Sequence, residues 1–576
     1  MFKYFKPYLG KGFLAALFKM GEAFADLSLP LIMAKIIDTG VLNKDFDYIL
    51  KMGSKMIGIA AIGYCCAILC NYFSCRASQE FGANLRDSIF TKIQHFSFNQ
   101  LNKYSQASLI TRITKDVDQI TNMFLMCVRM VLRGLTTGIG AVIMAVIINP
   151  FLSIIFLVIA PLIIFLTTFY VKKSFKLYAT VQKKLDGLTL ILRENLSGLK
   201  VIKALSKEKV EEERFSEKSD DLQEKTIEAD SLMLSKLPFI TLIMNIGVVA
   251  VLWFGGLRVH YGKLQVGEVV AFINYLNMTL FSMNALSFLF TLYSRTSISY
   301  QRVKEIVDEK IEVVKECREI DENSKNIIEF DNVYFAYNGS DKYILENINL
   351  KIKRGEHIGI IGGIGSGKST LVSLIPRFYD VSKGSIKVDG VDIRSYCGDQ
   401  LRKKIGIVLQ KTFLFSQSVK ENIKWGDQKA SEDEIKKVCE IAQGADFIDK
   451  LPQAYDTDVT KGGNNFSGGQ KQRISIARTL LKKPEILIFD DSFSALDFIT
   501  EYKLMKGLKD YMEKVTTITI SPKISSLIRM DRIIVMDNGK IAGFDSHENL
   551  IKSCSVYKEI CESQEICITG ECYDEK

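Results

Sequence analysis

The sequence concentrates its chemistry in nine consecutive residues. Gly362, Gly363, Ile364, Gly365, Ser366, Gly367, Lys368, Ser369 and Thr370 read G-G-I-G-S-G-K-S-T and fit the pattern G-x-x-x-x-G-K-[ST] in register. Glycines let successive backbone N–H groups turn inward around phosphate oxygens, and a helix starting here adds the partial positive charge of its N-terminus. Lys368 is then placed to reach the outer phosphates, and the Ser369 hydroxyl to ligate Mg2+. The pattern predicts that the chain binds ATP.

Such a loop works only between a strand and a helix. The run H-I-G-I-I-G at 357–362 has the short apolar form of a buried parallel strand, and the sequence from Lys368 onward can open a helix. Two more apolar runs end in polar groups: I-G-I-V-L-Q in Gln410, and I-L-I-F-D-D in Asp490 and Asp491. In a parallel sheet those ends gather beside the phosphate loop, so Gln410 and Asp490 can reach the metal and its waters. Tyr337, upstream, offers a ring to stack on adenine. The run F-S-G-G-Q, with Ser467, Gly468, Gly469 and Gln470, precedes a helix and offers a second set of N–H donors to an anion. Asn538-Gly539 between apolar runs predicts a hairpin.

At 576 residues the chain is long for one domain, and its composition divides it. Roughly the first 295 residues hold apolar runs of membrane-spanning length. The remainder alternates strand-like and helix-like segments. The net charge of +9 lies mostly in long loops between apolar runs, which fits membrane flanks and predicts no nucleic-acid partner. Twelve cysteines at irregular spacing imply no disulfide framework; Cys567 and Cys572 near the end are either free thiols or a redox or metal pair.

Six stretches are long enough to span a bilayer: 12–37, 56–75, 122–148, 151–170, 237–257 and 269–293. The first is too long and too polar for a cleaved secretion signal. Lys3, Lys6 and Lys11 precede it without an acid, whereas 148–151 is uncharged, so both termini are expected in the cytoplasm of a multi-pass protein of the cell membrane. The two long inward connections, 76–121 and 171–236, carry apolar residues at helical spacing and are expected to extend the spans into the cytoplasm as helical arms.

Charges inside a span cost on the order of 2.5 to 3.5 kcal/mol each at mid-bilayer and need partners or water. Lys19, Glu22 and Asp26 share one face of the first span, and Arg129 and Arg133 recur at comparable depth in the third; these faces are predicted to meet. The cluster is either structural or a substrate contact. Asn274, Asn277, Phe281, Asn284 and Phe288 form a polar and aromatic stripe along the sixth span, either a pathway lining or glue between helices. With the acids Glu22 and Asp26, the stripe is compatible with a cationic amphiphile.

Together these residues resemble the ATP-binding cassette (ABC) exporters, specifically half-transporters with six spans fused to one nucleotide-binding domain, as in bacterial multidrug and lipid exporters. The resemblance covers essentially the whole chain. It rests on G-G-I-G-S-G-K-S-T, Gln410, F-S-G-G-Q with Phe466 where leucine is usual, and S-A-L-D ending in Asp497. It implies an α-helical six-span transmembrane domain over 1–320, with long cytoplasmic extensions ending in coupling helices near 105–111 and 197–205. It also implies an α/β P-loop nucleotide-binding domain over 321–576, with an antiparallel β part and a helical subdomain. ATP and Mg2+ would lie between the phosphate loop of one subunit and the signature of another.

Three departures bear on catalysis. The family's catalytic glutamate after the Walker B aspartate is Asp491 here, one methylene shorter. Its switch histidine falls at Pro522, and its V-G-E-R-G pattern is replaced by V-T-K-G-G with Lys461. A misplacement of about 1 Å costs on the order of 100-fold in rate, so this chain's own site is expected to hold ATP and hydrolyse it poorly. The expected partner is a different half-transporter that supplies the missing glutamate and histidine, and the expected activity is ATP-driven export of a drug-like or lipid-like amphiphile. The rival readings are a peptide or lipid exporter subunit and a regulatory or gating subunit that binds ATP without net pumping.

Overall fold

The computed structural model describes residue 4 and residues 6–310, 326–337, 342–396, 399–513 and 515–564. The chain forms two compact units: Met1–Gln94 with Ser105–Glu309, and His95–Tyr104 with Lys310–Lys576. The expected boundary at 320/321, and Lys3, Cys567 and Cys572, lie outside the described residues.

The first unit is helical: α1 (Leu9–Lys35), α2 (Phe46–Gln94), then, after the short α3 (Phe98–Lys103) of the second unit, α4 (Gln106–Thr111), α5 (Val117–Met126), α6 (Leu132–Ile148), α7 (Ile154–Ala204), α8 (Glu208–His260) and α9 (Val266–Asp308). π-helical turns at Arg112–Asp116 and Cys127–Val131 join α4, α5 and α6 into one continuous rod. Among the described residues, five helices are long and apolar enough to cross a membrane, the span within α9 being Val266–Met283. The remaining one, α1, has 27 residues, about 40 Å at 1.5 Å per residue, but carries Lys11, Lys19, Glu22, Asp26 and Lys35, which remove it from that set.

The expected arms are continuous with the spans: α2 has 49 residues, α7 51 and α8 53. No prolyl break interrupts their polar parts; Pro161 and Pro238 lie within the apolar parts of α7 and α8. At their far ends the chain divides between the units. The residues carried by the second unit are those of α3, whereas 105–111 stays with the first; 197–204 is the last part of α7, with Leu205 as its C-cap. Ser97 starts α3 with a capping box, its hydroxyl accepting from Gln100 N–H while the Gln100 side chain accepts from Ser97 N–H. The Phe98 ring stacks on Phe378 at 4.4 Å and lies 5.9 Å from Tyr379, whose hydroxyl accepts from Asn102 at 3.0 Å.

The second unit has two sheets. β1 (Asn326–Phe335), β2 (Leu345–Lys353), β4 (Lys383–Val388) and β5 (Val391–Asp392) form the expected antiparallel part, in the order β2-β1-β4-β5. The larger sheet runs β10-β9-β3-β8-β7-β6, with β3 (His357–Gly362), β6 (Ile405–Val408), β7 (Ile486–Asp490), β8 (Thr516–Ile520), β9 (Arg532–Asp537) and β10 (Lys540–Asp545). All are parallel except β10, which returns from β9 through Asn538-Gly539 as the hairpin signal predicted. β2 alternates buried and exposed residues, whereas every residue of β7 and β8 is buried. That is the pattern of strands covered on both faces. Each fully buried side chain such as Leu487 or Ile488 stabilises the fold by about 1.5–3 kcal/mol. α10 (Lys368–Leu374) follows β3; α11 (Glu432–Ile441) and α12 (Gly468–Leu481) belong to the helical part; α13 (Phe498–Met512), α14 (His547–Ser553) and α15 (Ser555–Ser563) complete the unit.

Candidate functional site

The parallel sheet places three strand ends together. β3 runs into residues 362–370, β7 ends at Asp490, and β6 is followed by Gln410. Gly362 has φ +155°, and a Cβ there would lie 2.1 Å from Met536 O, so only glycine fits. Gly367 has φ +97°, and its Cβ would come 2.8 Å from Leu345 Cδ2. Ile364, at the apex, is fully exposed.

Lys368 Nζ folds over the loop and donates to Gly362 O at 2.9 Å and Gly363 O at 2.7 Å. Burial draws its ammonium below the usual lysine range, with Asp491 and Asp490 pulling the other way. Ser369 Oγ donates to Asp490 Oδ1 at 2.8 Å. Burial lifts the Asp490 carboxyl above the usual carboxylate range; the Ser369 hydrogen bond and Lys368 oppose this, and Asp491 adds to it. A hydroxyl and a carboxylate this close are hard oxygen donors of the kind that Mg2+ prefers, so the donor set fits a nucleotide with its cation.

Gln410 Nε2 donates to Asp491 Oδ2 at 2.9 Å, and Asp491 has the left-handed backbone φ of +48°. Tyr337 turns its hydroxyl to Thr370 Oγ1 at 3.2 Å, and its ring meets Phe335 and Tyr379 edge to face, at 4.9 and 5.1 Å between centroids. Pro522 is exposed, and its carbonyl accepts from Gln564 Nε2 at 2.8 Å while Gln564 Oε1 accepts from Ile524 N–H at 3.0 Å. Neither α3 nor this Gln564 brace was anticipated; the capping box S-x-x-Q at Ser97 was the available signal for α3.

The signature lies against the S-A-L-D turn. A Cβ on Gly468 or Gly469 would have Ala495 as its nearest neighbour, at 3.8 and 2.9 Å. Ser467 caps α12, its hydroxyl accepting from Gln470 N–H at 3.3 Å and the Gln470 side chain from Ser467 N–H at 2.9 Å. Phe466 is buried and meets Phe447 edge to face at 6.4 Å, so the larger ring is absorbed by the core. Asp497 caps α13 through Thr500, which holds its carboxyl below the usual range.

In the helical unit, Arg133 lies 3.0 Å from Asp26 and 3.4 Å from Glu22, and Lys19 lies 2.7 Å from Glu22. The two predicted faces therefore meet through Arg133. Arg129 instead turns to α2, donating to Ser74 Oγ and Asn71 O, both at 3.2 Å. These groups border a cavity of about 550 Å3. Asp26, Asn274, Asn277 and Phe281 line it, together with Arg129 and Thr137, while Glu22 sits behind the wall. Asn274 Nδ2 donates to Val270 O at 3.0 Å within its own helix. The side chains of Asn284 and Phe288 lie outside the described residues.

Comparison with known proteins agrees with this architecture. The ABC transporter transmembrane region family matches residues 13–283, and the ABC transporter family matches 345–494. A Bacillus subtilis chain described as the uncharacterized ABC transporter ATP-binding protein YfiB is 37% identical over 561 residues, covering 97% of each chain. An ATP-dependent lipid A-core flippase of Syntrophus aciditrophicus is 34% identical, over 86% of this chain and 83% of its own. The solved structure of a bacterial Atm1-family ABC exporter with ATP bound superposes with a TM-score of 0.81 at 25% identity, over 97% of this chain and 98% of that one.

The chain belongs to the ABC transporter family. It is an ABC exporter half-transporter, a membrane-spanning, ATPase-coupled exporter whose ATPase domain binds ATP, and such exporters function as dimers.

Proposed function

We propose that the chain is one half of a heterodimer that exports an amphiphilic small molecule across the cytoplasmic membrane by alternating access, its own nucleotide site holding ATP with little hydrolysis. Residues 362–370 cradle the phosphates, Tyr337 meets adenine, and Ser369, Gln410 and Asp490 hold Mg2+. Ser467, Gly468, Gly469, Gln470 and Asp497 complete the partner's site. α1 supplies a sixth span, its charges neutralised inside the bundle, and both termini and the nucleotide-binding unit face the cytoplasm. The two nucleotide-binding units close together, the arms carry closure to the spans, and hydrolysis at the partner-completed site resets the pair.

The observation that carries this reading is at Asp491 and 522. The shorter carboxylate is engaged by Gln410, and proline has no side-chain proton to share. General acid–base groups contribute typically 10^2–10^4-fold, roughly the loss expected here. Similarity to a chain named as a lipid A-core flippase favours a lipid-like substrate. The test is ATP turnover by the chain purified alone in lipid, beside the same chain co-expressed with a half-transporter carrying glutamate and histidine at those positions. The reading predicts ATP binding with little turnover alone and brisk turnover in the pair; brisk turnover alone overturns it. Transport into vesicles by a pair whose partner lacks its catalytic glutamate separates a pump, which stops, from an ATP-gated regulator, which persists.

A further inference from the structure

The charges around the cavity between α1, α6 and α9 are unequal. Lys19, Arg129 and Arg133 line it with a single acid, Asp26. Arg133 engages Asp26 at 3.0 Å and reaches Glu22 at 3.4 Å, while Lys19 holds Glu22 at 2.7 Å. Both acids are therefore already matched. Arg129 contacts only neutral acceptors, Ser74 Oγ and Asn71 O, and among the described residues no carboxylate lies within 4.0 Å of it. The planar guanidinium presents its donors in a fork that matches a carboxylate or phosphate. It also stands in the π-helical turn Cys127–Val131, the kind of local widening that recurs at functional positions.

Taking the export reading as its premise, we infer that this cavity selects an amphiphile with an anionic head, a carboxylate or phosphate, placed on Arg129. Its apolar part lies against Met130, Met278 and Phe281, and Phe281 is 80% exposed and so available to it. Asn277 adds an amide that can donate to the head. The acids Glu22 and Asp26 made the sequence compatible with a cationic amphiphile. To bind them, a cationic head has to take Arg133 from its two carboxylates or displace the buried Lys19 from Glu22, and a buried ammonium left without its partner is strongly unfavourable. An anion on Arg129 displaces no ion pair.

The test uses the transporter purified with the partner it carries, in zwitterionic phosphatidylcholine vesicles, and follows binding of dansyl-undecanoate and of a dansyl alkylammonium of equal chain length. The anionic probe is expected to bind at least about 10-fold more tightly than the cationic one. Arg129→Gln should abolish that preference and Arg129→Lys retain most of it, with thermal unfolding of each variant reporting whether the fold survives. Displacement of the anionic probe by phosphatidylglycerol identifies a lipid headgroup as the source of the anion; retained binding identifies a free amphiphile. Equal binding of both probes, a preference for the cation, or a folded Arg129→Gln that still prefers the anion overturns the inference. ATP-driven uptake separates the two readings. Anion binding without transport of any probe defeats export alone, and transport of the cation only defeats the charge assignment alone.

Discussion

Gln410 donates its side-chain N–H to Asp491 Oδ2 at 2.9 Å, so the amide proposed to sit beside the metal and the carboxylate proposed for the catalytic position form one hydrogen-bonded pair. A carboxylate used in this way has one oxygen committed. A glutamate at 491 places its carboxyl one methylene further out.

Asp491→Glu together with Pro522→His is expected to raise ATP turnover of the chain purified alone by about 10- to 100-fold. Either change alone is expected to give less than half of that gain on a logarithmic scale, because base and switch act on the same step. Phosphate release at saturating ATP checks this, with Lys368→Ala as the background.

Glu22 is nearly buried and touches both Lys19 and Arg133. Glu22→Gln strands Lys19, and breaking a buried pair on one side costs about 3–5 kcal/mol. The double variant Lys19→Met with Glu22→Leu is expected to unfold at a higher temperature than the single one. Thermal unfolding in the same detergent ranks them.

Burial pulls the His547 imidazole below its usual range, and His547 Nδ1 lies 2.8 Å from the Tyr557 hydroxyl. The folded chain thus binds fewer protons there than the unfolded chain. Stability from this site is fully present above the unfolded value, near pH 6.5, and declines as pH falls through the lowered folded value. His547→Gln should flatten the loss of thermal stability of the full-length protein between about pH 7 and 5. An unchanged slope counts against the assignment.

Phe98 fixes α3 to Phe378 and Tyr379. Removing such a ring pair costs about 0.5–1.5 kcal/mol beyond the lost burial. Phe98→Ala is expected to leave ATP binding intact and reduce substrate uptake into vesicles several-fold. Equal losses of both would place Phe98 in the stability of the whole unit instead.

What the chain reveals before folding depends on how local each cause is. The phosphate loop, the hairpin at Asn538-Gly539 and the strand ends at Gln410 and Asp490 were legible because residue type and turn conformation are tied within a few positions. The meeting of Arg133 with Glu22 and Asp26 was legible as well, since charges in apolar helices have few ways to be satisfied. The partner of Arg129 was not. Ser74 and Asn71 are on a different helix, and nothing in the spacing of α2 distinguishes their acceptors from other polar groups. α3 was not legible either, because both 98–103 and 106–111 are short helices with serine caps. Only tertiary contact with Phe378 and Tyr379 tells them apart.

Tyr379 has neighbours on two sides. One side takes Phe98 and Asn102 of the docking helix, and the other stands edge-on to Tyr337, which reaches Thr370 at the phosphate loop. Packed rings neither compress nor leave room to slip. If a nucleotide base meets Tyr337 as proposed, a shift of that ring nudges the lodging of α3 through a single intervening phenol, a strut two rings long.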